Sequence, residues 1–261
     1  MKTPFRMRPH DVHVWTLRLD LSRTTHDRLE RVISADEAVR AARFVVAADR
    51  TRYAAAHGLL RVVLSGYLGV RPEEVVFERG IGGKPCVASR RVRFSLSHSG
   101  ARGLVAVSAE REVGVDIERI RELGDVEGLA RRCFSPLERA ALSAVPPSQR
   151  QAAFFAGWTR KEAFLKVLGE GLSRPLDSFD VTLKPGEPAR LLRDRGAPAV
   201  SGRYALRALR TAPRYVAALA IDGCGASIRG RPWSILAAVL EEIVVPRAAD
   251  PAGAGSGSPS A

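Results

Sequence analysis

The sequence predicts an α+β fold in which a long helix and a group of antiparallel strands occur twice along the chain. Two observations carry this prediction. Apolar residues recur at helical spacing over roughly residues 49–68 and again over residues 148–168. Short alternating or apolar runs, bounded by turn residues, surround each of these helices and indicate strands. We find no sequence repeat between the halves, so the prediction concerns their architecture alone.

Composition and charge limit the classes of protein that the sequence allows. A chain of 261 residues, 46% hydrophobic and 26% charged, can form one large domain or two small ones, which excludes wholesale disorder. The longest apolar stretch near the C-terminus, residues 235–245, contains Glu241 and Glu242 and is too short to cross a membrane. The charged N-terminus is followed by no apolar signal-peptide region. Three widely spaced cysteines fit neither a zinc site nor a disulfide framework, so we expect a reduced, cytoplasmic protein with no membrane partner.

The predicted elements divide the chain into five segments. In chain order these are an N-terminal arm over 1–11, an N-terminal α+β half over 12–112, a C-terminal α+β half over 113–228, a C-terminal extension over 229–249 and a tail over 250–261. The tail is rich in glycine, serine, proline and alanine, and this composition predicts disorder.

In the first half, alternation and capping residues define the elements. Residues 12–19 place apolar side chains at alternate positions, which predicts a strand. Ser34 opens the Ser-Ala-Asp-Glu pattern of a capping box and predicts the start of a helix. After the long helix, strands are predicted over residues 75–78, 92–96 and 104–108.

The second half begins with a strand predicted over residues 113–117, which continues an antiparallel meander. Ser135, Pro136 and Glu138 then occupy the N-cap, N1 and N3 positions of a helix start. The long helix of this half is predicted to end at Gly169. Further strands are predicted over residues 179–183, 203–210 and 215–221.

Two carboxylates share one face of the first strand of the second half. Asp116 and Glu118 are two residues apart and therefore project to the same side, while Val115 and Ile117 face the other. Adjacent carboxylates repel each other unless a proton or a cation lies between them, and oxygen ligands of this kind suit Mg²⁺. An exposed strand face with two solvated acids is the alternative that the pair alone leaves open.

The second long helix carries a further chemical group. Trp158, Lys161 and Glu162 stand at positions i, i+3 and i+4, and Lys166 follows Glu162 by four. One stripe of the helix is therefore predicted to carry an aromatic ring, two amines and a carboxylate. The alternative is an exposed Glu162–Lys166 pair that contributes only about 0.3–0.5 kcal/mol to the helix.

A third segment could bind phosphate. Lys84 follows a glycine-rich loop, and a later strand ends in Ser97-His98-Ser99-Gly100, which presents hydroxyls, an imidazole and free N–H groups at a turn. A serine hydrolase is disfavoured because neighbouring residues on a strand diverge and no Gly-x-Ser-x-Gly elbow is present. A purely structural turn is the remaining alternative.

The order of these motifs is itself informative. Gly-Lys-Pro, Phe-x-x-Ser-His-Ser-Gly, Gly-Val-Asp-Ile-Glu, Phe-Ser-x-x-Glu and Trp-x-x-Lys-Glu-Ala-x-x-Lys are followed by Gly171-Leu172-Ser173 and Pro-Leu-Asp-Ser-Phe. Over residues 34–183 this order resembles the 4′-phosphopantetheinyl transferases of the surfactin-synthetase-activating type. The resemblance implies a pseudo-dimer of two similar α+β halves with the active site at their junction. It also implies transfer of the 4′-phosphopantetheine group of coenzyme A to a serine of an acyl or peptidyl carrier protein, with Mg²⁺ as cofactor and adenosine 3′,5′-bisphosphate as product.

The resemblance implies a role for each residue of the acidic and helical motifs. The metal ligands would be Asp116, Glu118 and Glu162. Glu162, directly or through a metal-bound water, would take the proton from the carrier serine. Lys166 would stabilise charge on the transferred phosphoryl group and the leaving group. Lys161 would contact the diphosphate, and Trp158 would pack behind these groups.

The resemblance also implies a coenzyme A subsite. Its residues would be Arg52, Lys84, Ser97 and His98. A phosphate beside His98 would favour the imidazolium, and Arg52 offers a bidentate guanidinium. Arg40 is a weaker candidate for the same phosphate. Glu37 departs from the family, in which a basic residue often stands at this position, and this puts part of the contact from the first helix in doubt.

The formal net charge of +13 points to an anionic partner. A nucleic-acid-binding protein is the alternative from another class, but no homeodomain, zinc-finger or RNP pattern is present and only 6% of residues are aromatic. An inactive carrier-binding relative is a third hypothesis, against which the intact acidic and lysine set argues. We therefore expect a monomer that binds coenzyme A and apo carrier proteins and no nucleic acid.

Overall fold

The computed structural model describes residues 5–169, 174–197 and 202–244. The predicted α+β fold is confirmed, with strands and helices in both halves. The motif segment Gly171-Leu172-Ser173 and the tail predicted over residues 250–261 lie outside the described residues.

The elements of the described ranges are as follows. The strands are β1 (Asp11–Arg18), β2 (Phe77–Arg79), β3 (Pro85–Val87), β4 (Arg93–Ser99), β5 (Arg102–Ser108), β6 (Val113–Arg119), β7 (Phe179–Val181), β8 (Leu191–Asp194), β9 (Tyr204–Leu209), β10 (Tyr215–Asp222) and β11 (Ser227–Arg231). The helices are α1 (Arg23–Glu30), α2 (Ala35–Ala42), α3 (Ala47–Leu68), α4 (Val126–Cys133), α5 (Pro136–Ser143), α6 (Pro147–Leu168) and α7 (Trp233–Val244). The sequence analysis did not identify α1, α4, α7, β3, β8 or β11.

Capping boxes begin α2 and α5, as the sequence predicts. The Ser34 side chain accepts a hydrogen bond from the Glu37 amide, and the Ser34 amide donates to the Glu37 carboxylate at 2.7 Å. Ser135 and Glu138 make the same reciprocal pair at α5. Each box satisfies N–H groups that have no partner inside the helix.

The N-terminal half is built on a four-stranded sheet in the order β11-β1-β5-β4. Helix α3 packs on one face because Leu59 and Val63 face side chains such as Trp15, Val105 and Val107, and all five are buried in one cluster. The C-terminal half is built on a three-stranded sheet in the order β6-β10-β9. Helix α6 packs on that sheet through a separate cluster that includes Phe164 of the helix.

The long helices of the two halves have matching features. Both α3 and α6 contain 22 residues. Gly69 ends the first at φ 73° and Gly169 ends the second at φ 78°, the left-handed conformation that glycine adopts without steric cost. One long helix packed on one sheet of mainly antiparallel strands therefore occurs twice.

The two sheets meet face to face at the junction of the halves. Val14 and Leu104 of the first sheet pack against Val115, Ile117 and Leu219 of the second in one buried cluster. This packing brings β4, an edge of the first sheet, beside β6, an edge of the second. The motifs carried by these two strands therefore come together.

The end of the described chain returns to the N-terminal half. Strand β11 pairs in parallel with β1, and Leu236 and Leu240 of α7 are buried in the core of that half. Arg231 donates to Nε2 of His13 at 3.1 Å across the same pair of strands. The segment expected to be a separate extension over residues 229–249 thus completes the first sheet as far as its residues are described.

Candidate active site

Helix α6 lies directly on β6 because residue 114 is glycine. A Cβ atom built on Gly114 would overlap the Ala163 carbonyl oxygen and approach the Val167 amide nitrogen within 2.5 Å. Any larger residue would force the helix away from the strand. This close approach puts Glu162 and Lys166 of the helix next to the acidic motif of the strand.

Asp116 is the most enclosed acid of the group, with 5% of its surface exposed. Its Oδ1 accepts a hydrogen bond from Ser97 Oγ at 2.8 Å and an ion pair from Lys166 Nζ at 2.7 Å. Lys166 Nζ also donates to the Val115 carbonyl at 3.1 Å. Asp116 Oδ2 is buried and has no hydrogen-bond partner among the described residues.

Glu118 and Glu162 surround Asp116. Glu118 Oε2 accepts a hydrogen bond from Ser99 Oγ at 2.6 Å. Glu162 Oε1 is buried without a partner in the described part of the chain. Burial raises the pKa of both glutamates, and the negative charge of Asp116 raises the two pKa values further. Two glutamates with raised pKa values beside a third carboxylate form a site that favours a positive charge between them.

The structure tests the metal site only in part. Among the described residues no group of three His, Cys, Asp or Glu side chains is arranged closely enough to hold a metal ion. The donor set nevertheless suits a hard cation, because Asp116 Oδ2 and Glu162 Oε1 are partnerless carboxylate oxygens. The three-carboxylate metal site therefore stays a prediction.

The structure corrects the role predicted for Lys161. Its side chain is fully buried, with 0% exposed, and its ammonium pairs with the Glu138 carboxylate at 2.8 Å. The same ammonium donates to the carbonyls of Leu176 at 2.6 Å and Phe179 at 2.7 Å. Five residues of α-helix turn through about 140°, so Lys161 and Lys166 point in different directions. Lys161 is not free to contact a diphosphate.

The structure agrees with the helix cap predicted at Ser135 and Glu138 and with the packing position predicted for Trp158. Ser135 and Glu138 form a helix cap, and Glu138 also accepts the Val181 amide at 2.8 Å. Trp158 is partly buried and stacks with Phe154 in the cluster below α6, which is a packing position.

Ser97 and His98 face opposite sides of β4, so the structure does not bring their side chains together. Ser97 points to Asp116, whereas the His98 ring lies 6.3 Å from the Tyr53 ring on α3. Burial, with the nearby His57 and Lys166, lowers the pKa of His98 to about 4. His98 is therefore neutral at pH 7 until an anion lies beside it.

Lys84 lies at the beginning of β6. Its ammonium pairs with the Glu112 carboxylate at 2.7 Å and donates to the Val113 carbonyl at 2.9 Å. Arg93 pairs with the same carboxylate at 2.9 Å. The Lys84 ammonium thus contacts β6 three residues before Asp116, and Glu112 neutralises part of its charge.

Arg52 and Glu37 make separate sets of contacts around α3. Arg52 pairs with Asp20 at 3.1 Å and lines a cavity of about 550 Å³ between α1 and α3. Glu37 is buried and accepts from His57 at 3.0 Å and from Arg61 at 2.7 Å. Burial alone would raise the pKa of Glu37, but hydrogen bonds, first from His57 and then from Ser34 and Arg61, lower it to about 2. Glu37 is therefore an internal ion-pair residue.

The weaker candidate Arg40 contacts a different group. Burial raises the pKa of the Tyr53 hydroxyl and the nearby Arg40 charge opposes this, while the Tyr53 ring stacks on His57 with centroids 4.2 Å apart. Arg40 therefore stands on the same side of α3 as His98.

Sequence reasoning missed Ser95 and Ser99 as contributors to this site. The alternation Ser-x-Ser-x-Ser at positions 95, 97 and 99 places three hydroxyls on one face of β4, and this was the available signal.

None of the helices in the described ranges is both long and apolar enough to cross a membrane.

Comparisons with known proteins agree with this arrangement. Residues 20–112 match the family described as 4′-phosphopantetheinyl transferase, N-terminal, and residues 112–220 match the 4′-phosphopantetheinyl transferase superfamily. The chain is 39% identical to the 4′-phosphopantetheinyl transferase HetI of a Nostoc species over 219 residues, which cover 82% of this chain and 89% of the relative. It is 31% identical to the 4′-phosphopantetheinyl transferase Sfp of Bacillus subtilis over 186 residues, which cover 70% of this chain and 82% of the relative.

Proposed function

The chain belongs to the 4′-phosphopantetheinyl transferase superfamily, and we propose that Asp116, Glu118, Glu162 and Lys166 form the site at which it works. The enzyme transfers the 4′-phosphopantetheine group of coenzyme A to a serine of a carrier protein, which converts the apo form to the holo form. One observation carries the assignment of the site. Acids from β6 and an acid and an amine from α6 meet at the junction of the halves, where two buried carboxylate oxygens have no partner among the described residues.

Asp116, Glu118 and Glu162 are the residues that would hold Mg²⁺. The buried oxygens of Asp116 and Glu162 that have no partner among the described residues, and the raised pKa values of Glu118 and Glu162, support this proposal. When bound, Mg²⁺ would offset the charge of the coenzyme A diphosphate and polarise the phosphorus under attack.

Glu162 is the general base of the proposal. Burial raises the pKa of its carboxyl, which brings its proton affinity closer to that needed for taking a proton from a serine hydroxyl near neutral pH. Its Oε1 makes no hydrogen bond within the described residues, so the atom is available to the incoming hydroxyl.

Lys166 supplies positive charge on the same face of α6. Its ammonium is held by Asp116 and the Val115 carbonyl and keeps 30% of its side-chain surface exposed. Such a fixed ammonium stabilises negative charge that develops on the transferred phosphoryl group and on the leaving adenosine bisphosphate.

Coenzyme A would lie along β4 and the beginning of β6. The Lys84 ammonium contacts the first residue of β6, and His98 lies on β4 next to Ser97. A phosphate beside His98 would raise the pKa that burial lowers. Arg52 would reach a more distant phosphate by releasing Asp20. Ser97 contributes at the diphosphate end of the site through its hydrogen bond to Asp116.

We also propose that the protein works as a monomer in the cytoplasm. One chain supplies both halves of the site, so a monomer is sufficient. Cys86, Cys133 and Cys224 are free thiols, which suits a reducing compartment such as the cytoplasm. Coenzyme A and an acidic carrier protein are both anionic and account for the net positive charge of the chain, so a nucleic-acid partner is not needed to explain it.

Mass spectrometry tests the function directly. Incubation with coenzyme A, Mg²⁺ and an apo carrier protein should add one phosphopantetheine group to the carrier. Glu162→Gln should slow this transfer by a factor of at least about 100, because a positioned base contributes 10²–10⁴-fold. Glu122→Gln, which changes an exposed acid, is the matched control. Equal rates for the wild type and Glu162→Gln would refute the assignment of the base.

A further inference from the structure

Serine side chains join the two sheets at the candidate site. Strands β4 and β6 belong to different sheets, yet three amides of β6 donate to three hydroxyls of β4. The contacts are Val115 N to Ser95 Oγ at 3.1 Å, Ile117 N to Ser97 Oγ at 3.3 Å and Arg119 N to Ser99 Oγ at 3.1 Å. We call these three serines the serine ladder. Both strands advance by two residues at each step, so the ladder follows the period of the strands.

The serine ladder provides hydrogen-bond acceptors for N–H groups of the edge strand β6. In an antiparallel pair, alternate N–H groups of β6 point to β10 and the others point away. The outward amides of Val115 and Ile117 are buried and need acceptors, since an unpaired buried N–H costs about 1–3 kcal/mol. The amide of Arg119 lies at the exposed end of the strand. Side-chain hydroxyls meet this need where no backbone partner is in register.

Two of the serines make a second hydrogen bond. Ser97 Oγ lies 2.8 Å from Asp116 Oδ1, and Ser99 Oγ lies 2.6 Å from Glu118 Oε2. An amide only donates and an ionised carboxylate only accepts, so each hydroxyl accepts from the strand and donates to the acid. The ladder fixes the direction of both hydroxyl protons.

Ser95 provides a natural comparison within the ladder. The residue of β6 that corresponds to Asp116 and Glu118 at this step is Gly114, which has no side chain. Ser95 therefore makes only the structural contact to Val115, whereas Ser97 and Ser99 make the structural contact and hold a carboxylate.

We propose that Ser97 and Ser99 are positioning residues, which hold one oxygen of Asp116 and one of Glu118 and so aim the remaining oxygens at the cation. At Asp116 the atom held is Oδ1, and Oδ2 has no hydrogen-bond partner within the described ranges. The inference rests on the proposed function for its chemistry and on the ladder for its geometry.

Amide hydrogen exchange tests the geometry without reference to activity. Ser95→Ala, Ser97→Ala and Ser99→Ala should each speed exchange at one amide, that of Val115, Ile117 or Arg119 respectively, by about tenfold or more. If a variant leaves its own amide as protected as in the wild type, the ladder is not the source of that protection and the proposal is overturned.

Binding of Mn²⁺, an ion that electron paramagnetic resonance detects directly, tests the chemistry. In the presence of coenzyme A, Ser97→Ala and Ser99→Ala should weaken Mn²⁺ binding by about tenfold, the lower limit for losing a residue that orients a ligand. The maximal transfer rate should fall in parallel while the KM for the carrier protein stays the same. Ser99→Thr keeps the hydroxyl and should restore Mn²⁺ binding to within about threefold of the wild type.

Ser95→Ala separates positioning from a structural role. It should bind Mn²⁺ within twofold of the wild-type affinity although it also loses one ladder bond. If Ser95→Ala weakens Mn²⁺ binding as much as Ser97→Ala and Ser99→Ala, or if these two bind Mn²⁺ normally, the positioning role is refuted. A wild-type protein that binds no Mn²⁺ would instead refute the proposed metal site, and the exchange data would still decide the ladder.

Discussion

The Lys161 ammonium lies 2.8 Å from the Glu138 carboxylate, and the two side chains are 0% and 1% exposed. Lys161 comes from α6 and Glu138 from the first turn of α5, so the pair joins two helices. Burial lowers the pKa of Lys161 and raises that of Glu138, and each charge partly restores the ionised form of the other. The pair belongs to the framework of the C-terminal half.

Lys161→Met should therefore lower the free energy of unfolding by about 3–5 kcal/mol, because it leaves the Glu138 carboxylate buried without a counter-charge. Urea denaturation measures the loss. Lys184→Met removes an exposed lysine and should change the unfolding free energy by less than about 0.5 kcal/mol. If Lys161→Met has normal stability and a raised KM for coenzyme A, the measurement would contradict the structural role and support the diphosphate contact predicted from the sequence.

Lys166→Met should impair transfer strongly and change stability little, which is the reverse of Lys161→Met. The ammonium is partly exposed and acts beside the acids, so its loss should reduce the maximal transfer rate by about 100-fold, as removal of one preorganised charge does elsewhere. Unfolding should change far less than in Lys161→Met. Steady-state transfer to an apo carrier, together with denaturation of the same sample, measures both. A transfer rate within twofold of the wild type would contradict the role of Lys166.

Local periodicity was sufficient to predict much of the fold and part of the site. Alternation on β6 predicts that Asp116 and Glu118 share a face, and the i, i+4 spacing on α6 predicts that Glu162 and Lys166 do. The same rules already separate Ser97 from His98 on β4, although the sequence analysis grouped them in one subsite. These outcomes depend on neighbours along the chain.

Other features depend on partners far away in the sequence and could not be read from local patterns. Strand β11 has mostly exposed side chains and no clear alternation, so only its pairing with β1 defines it. The role of Lys161 is decided by Glu138 and by the Leu176 and Phe179 carbonyls, which no spacing rule brings together. The contact of α6 with Gly114 likewise joins residues that are far apart in the sequence.

Gly114→Ala should destabilise the protein and impair transfer together. The added methyl group would overlap the Ala163 carbonyl, so α6 must move away from β6, and such overpacking costs about 1–3 kcal/mol. Because the same movement carries Glu162 and Lys166 away from Asp116, the transfer rate should fall as well. Thermal denaturation and the mass-spectrometric assay measure the two effects.

Gly230→Ala is the matched control for this prediction, since a Cβ at Gly230 meets no atom within 4 Å. It should leave stability and transfer close to the wild-type values. Wild-type stability in Gly114→Ala would show that α6 can move at no cost, and the close approach would then not define the site.

Buried histidines should make the protein less stable in mild acid. Burial, and then the charge of Arg231, lower the pKa of His13 from 6.5 to about 4. In the unfolded chain His13 titrates near its ordinary pKa, so between these values the unfolded state binds more protons than the folded state. The stabilising contribution is therefore complete above pH 6.5 and is lost as the pH falls toward 4. His98, also lowered to about 4, contributes with the same sign.

Thermal denaturation at a series of pH values measures this dependence. The melting temperature of the wild type should fall steadily between pH 6.5 and 4. His13→Gln removes the titrating group and should give a flatter profile over that interval, even though its melting temperature at pH 7 is lower because the bond to Tyr67 is altered. Combination with His98→Gln should flatten the profile further. An equally steep fall in the double variant would mean that the carboxylates, rather than these two imidazoles, govern the acid sensitivity.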